Sequence, residues 1–429
     1  MTEQEWSFDT LQIHAGQTPD SDYGSRALPI YQTTSFVFPD AQVAADRFAL
    51  TDPGPIYTRL ANPTQSVVET RLAALEGGAA ALLVASGEAA EFYTILNLAR
   101  PGDEIVASPS LYGGTYNLLK TTVGGLGITT RFVEDPDDPE SWRALVNEKT
   151  RLLYGESIPN PKCDILDIEA LADIAHAWSI PLVVDNTIGT PYNVRPFDHG
   201  ADIVVHSATK FLGGHGTAMG GAIIEHGDFD WKNGKFPALS DPDESYNGIV
   251  FGDLGPGGFV SRIRATLLRD TGAVISPFNA FLIAQGLETL SLRMERHLSN
   301  TAAVAEFLTQ REEVAFVQYS GLVSSPYYEK AQKYAPKGAG SVFTFDLKGG
   351  RAAGEAFVDA LSLFSNVANI GDVRSLVIHP ASTTHSQMND DELAAAGISG
   401  GTVRLSIGLE DIRDILADLT RGLEAATLV

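Results

Sequence analysis

Short apolar runs that stop abruptly at polar residues recur along the first half of the chain. They are Ala81-Leu82-Leu83-Val84-Ala85, Glu104 to Ala107, Ile128 to Val133, Arg151 to Gly155, Val183-Val184-Asp185 and Asp202-Ile203-Val204-Val205. Such runs, bounded by turn residues, fit strands buried on both faces of a parallel sheet. Helical spacing lies between them. Val67, Val68, Leu72 and Leu75 share one face, and Gly77-Gly78 stops that helix. A further helix opens at Ser86-Gly87-Glu88 and runs through Leu98, and Asp167 to Ser179 and Pro191 to Gly200 supply helix and turn chemistry around Asp185. The pattern predicts an α/β fold with βαβ winding. Later the period changes to two. Phe343, Phe345 and Leu347 alternate with Thr344 and Asp346, as in a half-buried strand of a smaller sheet. Val403, Leu405 and Ile407 alternate with Arg404 and Ser406, which sets Arg404 opposite the core-facing side chains. Ala280 to His297 reads as one long helix leading into this second part.

The flanks read differently. Up to about residue 60, Pro19, Pro29, Pro39, Pro53 and Pro55 break any long element, leaving an irregular arm with a short helix over Ala41 to Leu50. Its aromatic residues, Tyr31, Phe36, Phe38 and Phe48, favour docking on a surface over a free tail. Residues 225 to 260 are acidic and loop-rich, and no task follows from them. With 429 residues the chain exceeds what one core usually organises. Acidic residues outnumber basic ones 54 to 30, for a net charge of −24, which disfavours nucleic acid and anionic membranes as partners. One cysteine, Cys163, allows no intramolecular disulfide and suits a reducing compartment. The acidic N-terminus is unlike a targeting peptide, and no apolar run approaches the roughly 20 residues that span a bilayer. The expectation is a cytoplasmic protein.

Candidate chemistry gathers at the predicted strand ends. Open α/β sheets bind ligands outside the carboxyl ends of their strands. Asp185 ends one strand there, and Lys210 follows the next inside Ser207-Ala208-Thr209-Lys210-Phe211. A structural ion pair would give the same two residues. The flanking hydroxyls of Ser207 and Thr209 and the glycines beyond them also suit a phosphate beside a Schiff-base lysine. Pyridoxal phosphate (PLP) needs those parts: an amine for its aldehyde, an acid for its ring nitrogen and donors for its phosphate. Ser86-Gly87-Glu88 adds a strand, a turn and a helix N-terminus, where free N–H groups and the helix dipole favour an anion. The glycines after Lys210 form no G-x-G-x-x-G, so a nicotinamide site is rejected. His379 and His385 lack a third ligand at metal spacing and read as structural.

Asp185-Asn186-Thr187 and Ser207 to Phe211 resemble the cofactor motifs of the Cys/Met-metabolism PLP-dependent enzymes, and the resemblance runs from about Leu11 to Leu423. It implies the aspartate-aminotransferase-like fold (fold type I): an α/β architecture with a mostly parallel central sheet and a smaller C-terminal α/β domain. The implied division is an arm over 1–60 that reaches the neighbouring subunit, a PLP-binding domain over 61–270 and a C-terminal domain over 271–429. The resemblance implies PLP on Lys210, Asp185 at its ring nitrogen and Asn160 at its phenolic oxygen. Tyr112 of Leu111-Tyr112-Gly113 would stack on the ring and donate a proton to the leaving group. Ser86, Gly87, Glu88, Ser207 and Thr209 would bind the phosphate, Glu88 through its backbone with its carboxylate turned away. Tyr57 and Arg59 of the Tyr-x-Arg motif would reach the neighbour's phosphate, so a dimer would share its sites, and two such dimers would form a tetramer.

Arg404 in Val403-Arg404-Leu405-Ser406 would grip a substrate α-carboxylate. Asn369 before Gly371, Gly114 and the Tyr319 to Gly340 segment resemble the sulfhydrylase branch of the family. The implied activity is γ-replacement on O-acetyl-L-homoserine by sulfide, giving L-homocysteine and acetate. Use of the succinyl ester, cystathionine γ-synthesis and γ-lyase chemistry stay open as alternatives, because all share the same electron-sink chemistry.

Overall fold

The computed structural model describes residues 6–383 and 398–429. Its larger sheet holds β1 (Ala80–Val84), β2 (Glu104–Ala107), β3 (Thr129–Phe132), β4 (Thr150–Glu156), β5 (Leu182–Asp185), β6 (Ile203–Ser207) and β7 (Gly221–Glu225). The order is β1-β7-β6-β5-β4-β2-β3. β7 runs antiparallel to β1 and β6, and the remaining pairs are parallel. The central strands β5 and β7 are buried along their whole length, which is why their sequences are continuous apolar runs. The antiparallel β7 returns its first residue, Gly221, to the edge where β1 and β6 end. A side chain at Gly221 would drive into the Ser86 carbonyl, so that close approach requires glycine.

The second sheet has the order β10-β11-β12-β9-β8. Its strands are β8 (Val314–Gln318), β9 (Val342–Leu347), β10 (Ser365–Asn366), β11 (Leu376–Ile378) and β12 (Thr402–Ser406). β9 is not the half-buried strand that alternation predicts. Thr344, on its polar face, is only 4% exposed. The first half of the chain covers that face, and the Cys163 thiol donates to the Val342 carbonyl at 3.1 Å. Arg404 on β12 faces the same junction and not an open sheet face.

The connecting helix is broken. Pro277–Leu287 and Leu290–Thr309 form two helices with Glu288 and Thr289 between them. Gly286 in the first lies so close to the carbonyls of Leu212 and Gly213 that a Cβ there would collide with both. The arm contains a helix ahead of its first proline, α1 (Phe8–His14), which the irregular reading of the arm does not anticipate, as well as the expected α2 (Ala41–Phe48). α1 is fastened to its own chain. Gln12 donates to the Ser291 hydroxyl at 2.8 Å, and the buried Arg71 binds the carbonyls of Ile13 and Ala15. The rest of the arm stays open, with Tyr23 95% and Val37 93% exposed. Among the described residues no helix is long and apolar enough to cross a membrane.

Candidate active site

A cavity of about 340 Å³ opens at the carboxyl ends of β1, β4, β5 and β6, with Asn369 from the loop between β10 and β11 and Arg404 on β12 also lining it. Helix α3 (Pro63–Glu76) packs behind β1, and α4 (Gly87–Leu98) starts on the cavity wall. The Ser86 hydroxyl caps α4 by accepting from Ala89 N at 3.2 Å. By position, the N–H groups of Gly87 and Glu88 have no acceptor within the helix. A Cβ at Gly87 would press on Ser207, so glycine keeps open the space between these N–H groups and the Ser207 hydroxyl. Thr209 is tied to Gly220 in both directions, donating at 3.2 Å and accepting at 3.1 Å.

Asp185 is buried at the end of β5. Its Oδ1 accepts from the backbone N of Thr187 at 2.8 Å and from the Thr187 hydroxyl at 2.6 Å. Thr187 Oγ1 in turn accepts from Ser207 N at 2.8 Å, which locks the ends of β5 and β6 together. Burial pushes the Asp185 carboxyl up, and the Thr187 bonds pull it back. A buried carboxylate without a nearby cation is costly, so a cationic ring N–H is a fitting partner. Glu91 and Glu156 sit beside it and are pushed well above the usual carboxylate range, first by burial and then by Asp185. The Thr187 bonds, which Glu91 and Glu156 do not share, favour the ionised form of Asp185 among the three.

Lys210 follows β6 on a turn closed by its own N–H to the Ser207 carbonyl. Its Nζ donates to Asn369 Oδ1 at 2.6 Å. Burial lowers the lysine pKa, and the nearby Arg404 lowers it further. Arg404 donates to the Asn369 carbonyl at 3.2 Å and to Asn160 Oδ1 at 3.3 Å, and burial brings its pKa down to about 10. Tyr112 lines the mouth, half-exposed. Burial, then Glu88 and Glu91, push its hydroxyl up, so it keeps its proton. The donor set therefore fits PLP: an amine, a buried acid, a phosphate-sized cradle and an aromatic face.

The cavity thus gathers Ser86, Gly87, Glu88, Tyr112, Asn160, Asp185, Ser207, Thr209, Lys210, Asn369 and Arg404. Tyr57 and Arg59 lie outside it. Arg59 stands over the Tyr57 ring at 5.5 Å and bonds the Arg269 carbonyl. The Glu88 carboxylate does not turn away from the cavity; it extends over Gly114 beside the Tyr112 ring. His379 is satisfied by Ser382 Oγ and the Gly400 carbonyl, both at 2.8 Å, and His385 lies outside the described residues.

Sequence reasoning gave no role to four contributors, although Thr187 lies within the Asp185-Asn186-Thr187 motif. Thr187 sits two residues after Asp185, a spacing that suits a local side-chain bond. Glu91 follows Glu88 by three on α4 and so shares its face. Glu156 pins the Tyr112 backbone by accepting its N–H. Arg293 is buried and donates to the carbonyls of Phe211 at 2.7 Å, Leu212 at 3.3 Å and Gly286 at 2.7 Å. No motif marks it, because it binds backbone.

Residues 9–424 match the model of the Cys/Met metabolism PLP-dependent enzymes. An O-acetyl-L-homoserine sulfhydrylase from Corynebacterium glutamicum is 53% identical over 98% of both chains. One of the same name from Leptospira meyeri is also 53% identical, covering 97% of this chain and 96% of its own. A crystal structure of a Campylobacter jejuni protein superposes with a TM-score of 0.94 at 42% identity, covering 98% of this chain and 100% of that one, and carries N′-pyridoxyl-lysine-5′-monophosphate.

Proposed function

The chain belongs to the Cys/Met metabolism PLP-dependent enzymes, and on that premise we propose that it catalyses a γ-replacement in which sulfide displaces acetate from O-acetyl-L-homoserine, giving L-homocysteine. The relatives that share half its residues over their full length are O-acetyl-L-homoserine sulfhydrylases. From the geometry, the observation that carries the assignment is Asn369. Its side chain accepts from Lys210 Nζ and its carbonyl accepts from Arg404. One residue so holds an amine and a guanidinium side by side in the cavity.

PLP, when bound, supplies the electron-withdrawing ring that lets an amino acid lose its Cα proton. Lys210 would hold its aldehyde carbon, and Asp185 its ring nitrogen. Ser86, Ser207, Thr209 and the N–H groups of Gly87 and Glu88 would hold its phosphate, Asn160 its phenolic oxygen and Tyr112 its ring face. The other steps fall to side chains. Arg404 orients the substrate carboxylate through two parallel bonds. Lys210 takes the Cα proton, and its lowered pKa raises the share of free amine at neutral pH. Tyr112 delivers a proton to the departing acetate oxygen.

Residues 1–60 form an arm that reaches a second subunit, 61–270 the cofactor domain and 271–429 the C-terminal domain. Tyr57 and Arg59, absent from the cavity of their own chain, serve the neighbour's phosphate. The working form is a dimer with shared sites, paired into a tetramer, and a single buried cysteine supports a cytoplasmic setting. The test is a product assay with PLP, sulfide and each homoserine ester. Homocysteine from the acetyl ester is expected. Homocysteine from the succinyl ester alone, or 2-oxobutyrate from methionine as the main product, would overturn the assignment.

A further inference from the structure

Glu88 stands where the cavity meets solvent, on the first turn of α4. Its Oε1 occupies the space a side chain at Gly114 would fill, against the edge of the Tyr112 ring. Glycine at 114 is thus what allows a carboxylate at 88 to lie across the cavity wall. No cation among the described residues offsets it. Burial raises its pKa first, and Asp185 raises it further. The other titratable groups on the wall are Lys210, Arg404, Asp185, Glu91 and Glu156, the last two pushed up by burial. Lys210 and Arg404 lie together and fix the amino-acid end of a substrate, so its acyl end extends toward Tyr112, Glu88 and the mouth at Met219.

We propose that Glu88 is a specificity-determining residue: its carboxylate, seated over Gly114, excludes acyl groups that end in a second carboxylate and so selects a neutral ester over a dicarboxylic half-ester. This rests on the γ-replacement assigned above. Repulsion between like charges a few ångströms apart at a half-exposed site supports about a tenfold discrimination. The isosteric Gln keeps the fill over Gly114 and the backbone donors while removing the charge.

The experiment compares wild type with Glu88→Gln, both loaded with PLP, on O-acetyl- and O-succinyl-L-homoserine with sulfide. The ratio of kcat/KM for the two esters is the readout. Glu88→Gln should shift that ratio toward the succinyl ester by about tenfold, mostly through its KM. An unchanged ratio overturns the proposal. Calorimetric titration with L-norleucine and L-2-aminopimelate, which differ by a terminal carboxylate and do not react with sulfide, repeats the comparison without turnover. The wild type should favour norleucine, and Glu88→Gln should narrow the gap. If neither ester is consumed, the assigned reaction fails while the titration still decides the role of Glu88. Should Glu88→Gln fold poorly, Glu88→Ala gives the same two readouts, and equal affinities of the two ligands for wild type refute the proposal outright.

Discussion

At the scale of single residues, two groups divide the work that Asn369 joins. In the proposed reaction Lys210 handles a proton at Cα, so replacing it would remove chemistry, whereas Arg404 would only hold the substrate. Lys210→Ala should lower kcat by about a thousandfold or more with an unchanged circular dichroism spectrum. It should also abolish any borohydride-reducible adduct. Arg404→Lys keeps a charge but loses the planar fork, so KM for the ester should rise about tenfold or more with a smaller change in kcat. Steady-state kinetics on both variants checks the split. The sequence made these two residues legible because Lys210 follows a strand end in Ser207 to Phe211 and Arg404 lies in the alternating motif Val403 to Ser406. It did not reveal Glu91, Glu156 or Arg293, whose importance lies in burial and partners that no local pattern encodes.

At the scale of elements, the helix Leu290–Thr309 fastens the turn that follows Lys210. Arg293 gathers three carbonyls, two of them directly after that lysine. Arg293→Met should leave those carbonyls unpaired and cost about 3 kcal/mol in denaturant unfolding. PLP affinity, followed by absorbance titration, should weaken with it. One turn on, His297 accounts for a pH dependence. It is buried, bonds the Ile407 carbonyl through Nδ1 at 2.6 Å, and burial lowers its pKa to about 4. The unfolded chain binds that proton at about 6.5. Below that value the unfolded state therefore holds more protons, and stability falls as pH drops from about 6.5 toward 4. Between pH 7 and 5 the loss from this residue should be about 2 kcal/mol. His297→Gln should flatten that part of the stability profile measured by urea unfolding. The break between the two linker helices was hidden in the sequence for a related reason. Their apolar pattern is continuous, and the break at Glu288 and Thr289 follows directly on Gly286, which packs against the Lys210 turn.

At the scale of the whole molecule, the proposed dimer would complete each site with residues from a second copy of the chain. Tyr57 and Arg59 lie outside the cavity, next to an arm whose apolar residues stand open. Mixing Arg59→Ala subunits with Lys210→Ala subunits should restore activity, since a mixed dimer has one site free of both changes. Random exchange predicts recovery of about a quarter of wild-type activity. Complementation assayed after mild unfolding and remixing checks it, and no recovery would mean that each chain builds its site alone.

By itself, the sequence determined the strand runs, the helix stop at Gly77-Gly78, and the residues at the strand ends. These are local consequences of alternation, turn chemistry and burial, so they survive without coordinates. Only the tertiary structure decided that β9 is covered on both faces, that Arg404 meets Lys210 through Asn369, and that Glu88 fills the space over Gly114. Each of those depends on which distant surfaces come to lie against each other. The spacing of residues along a chain does not specify that.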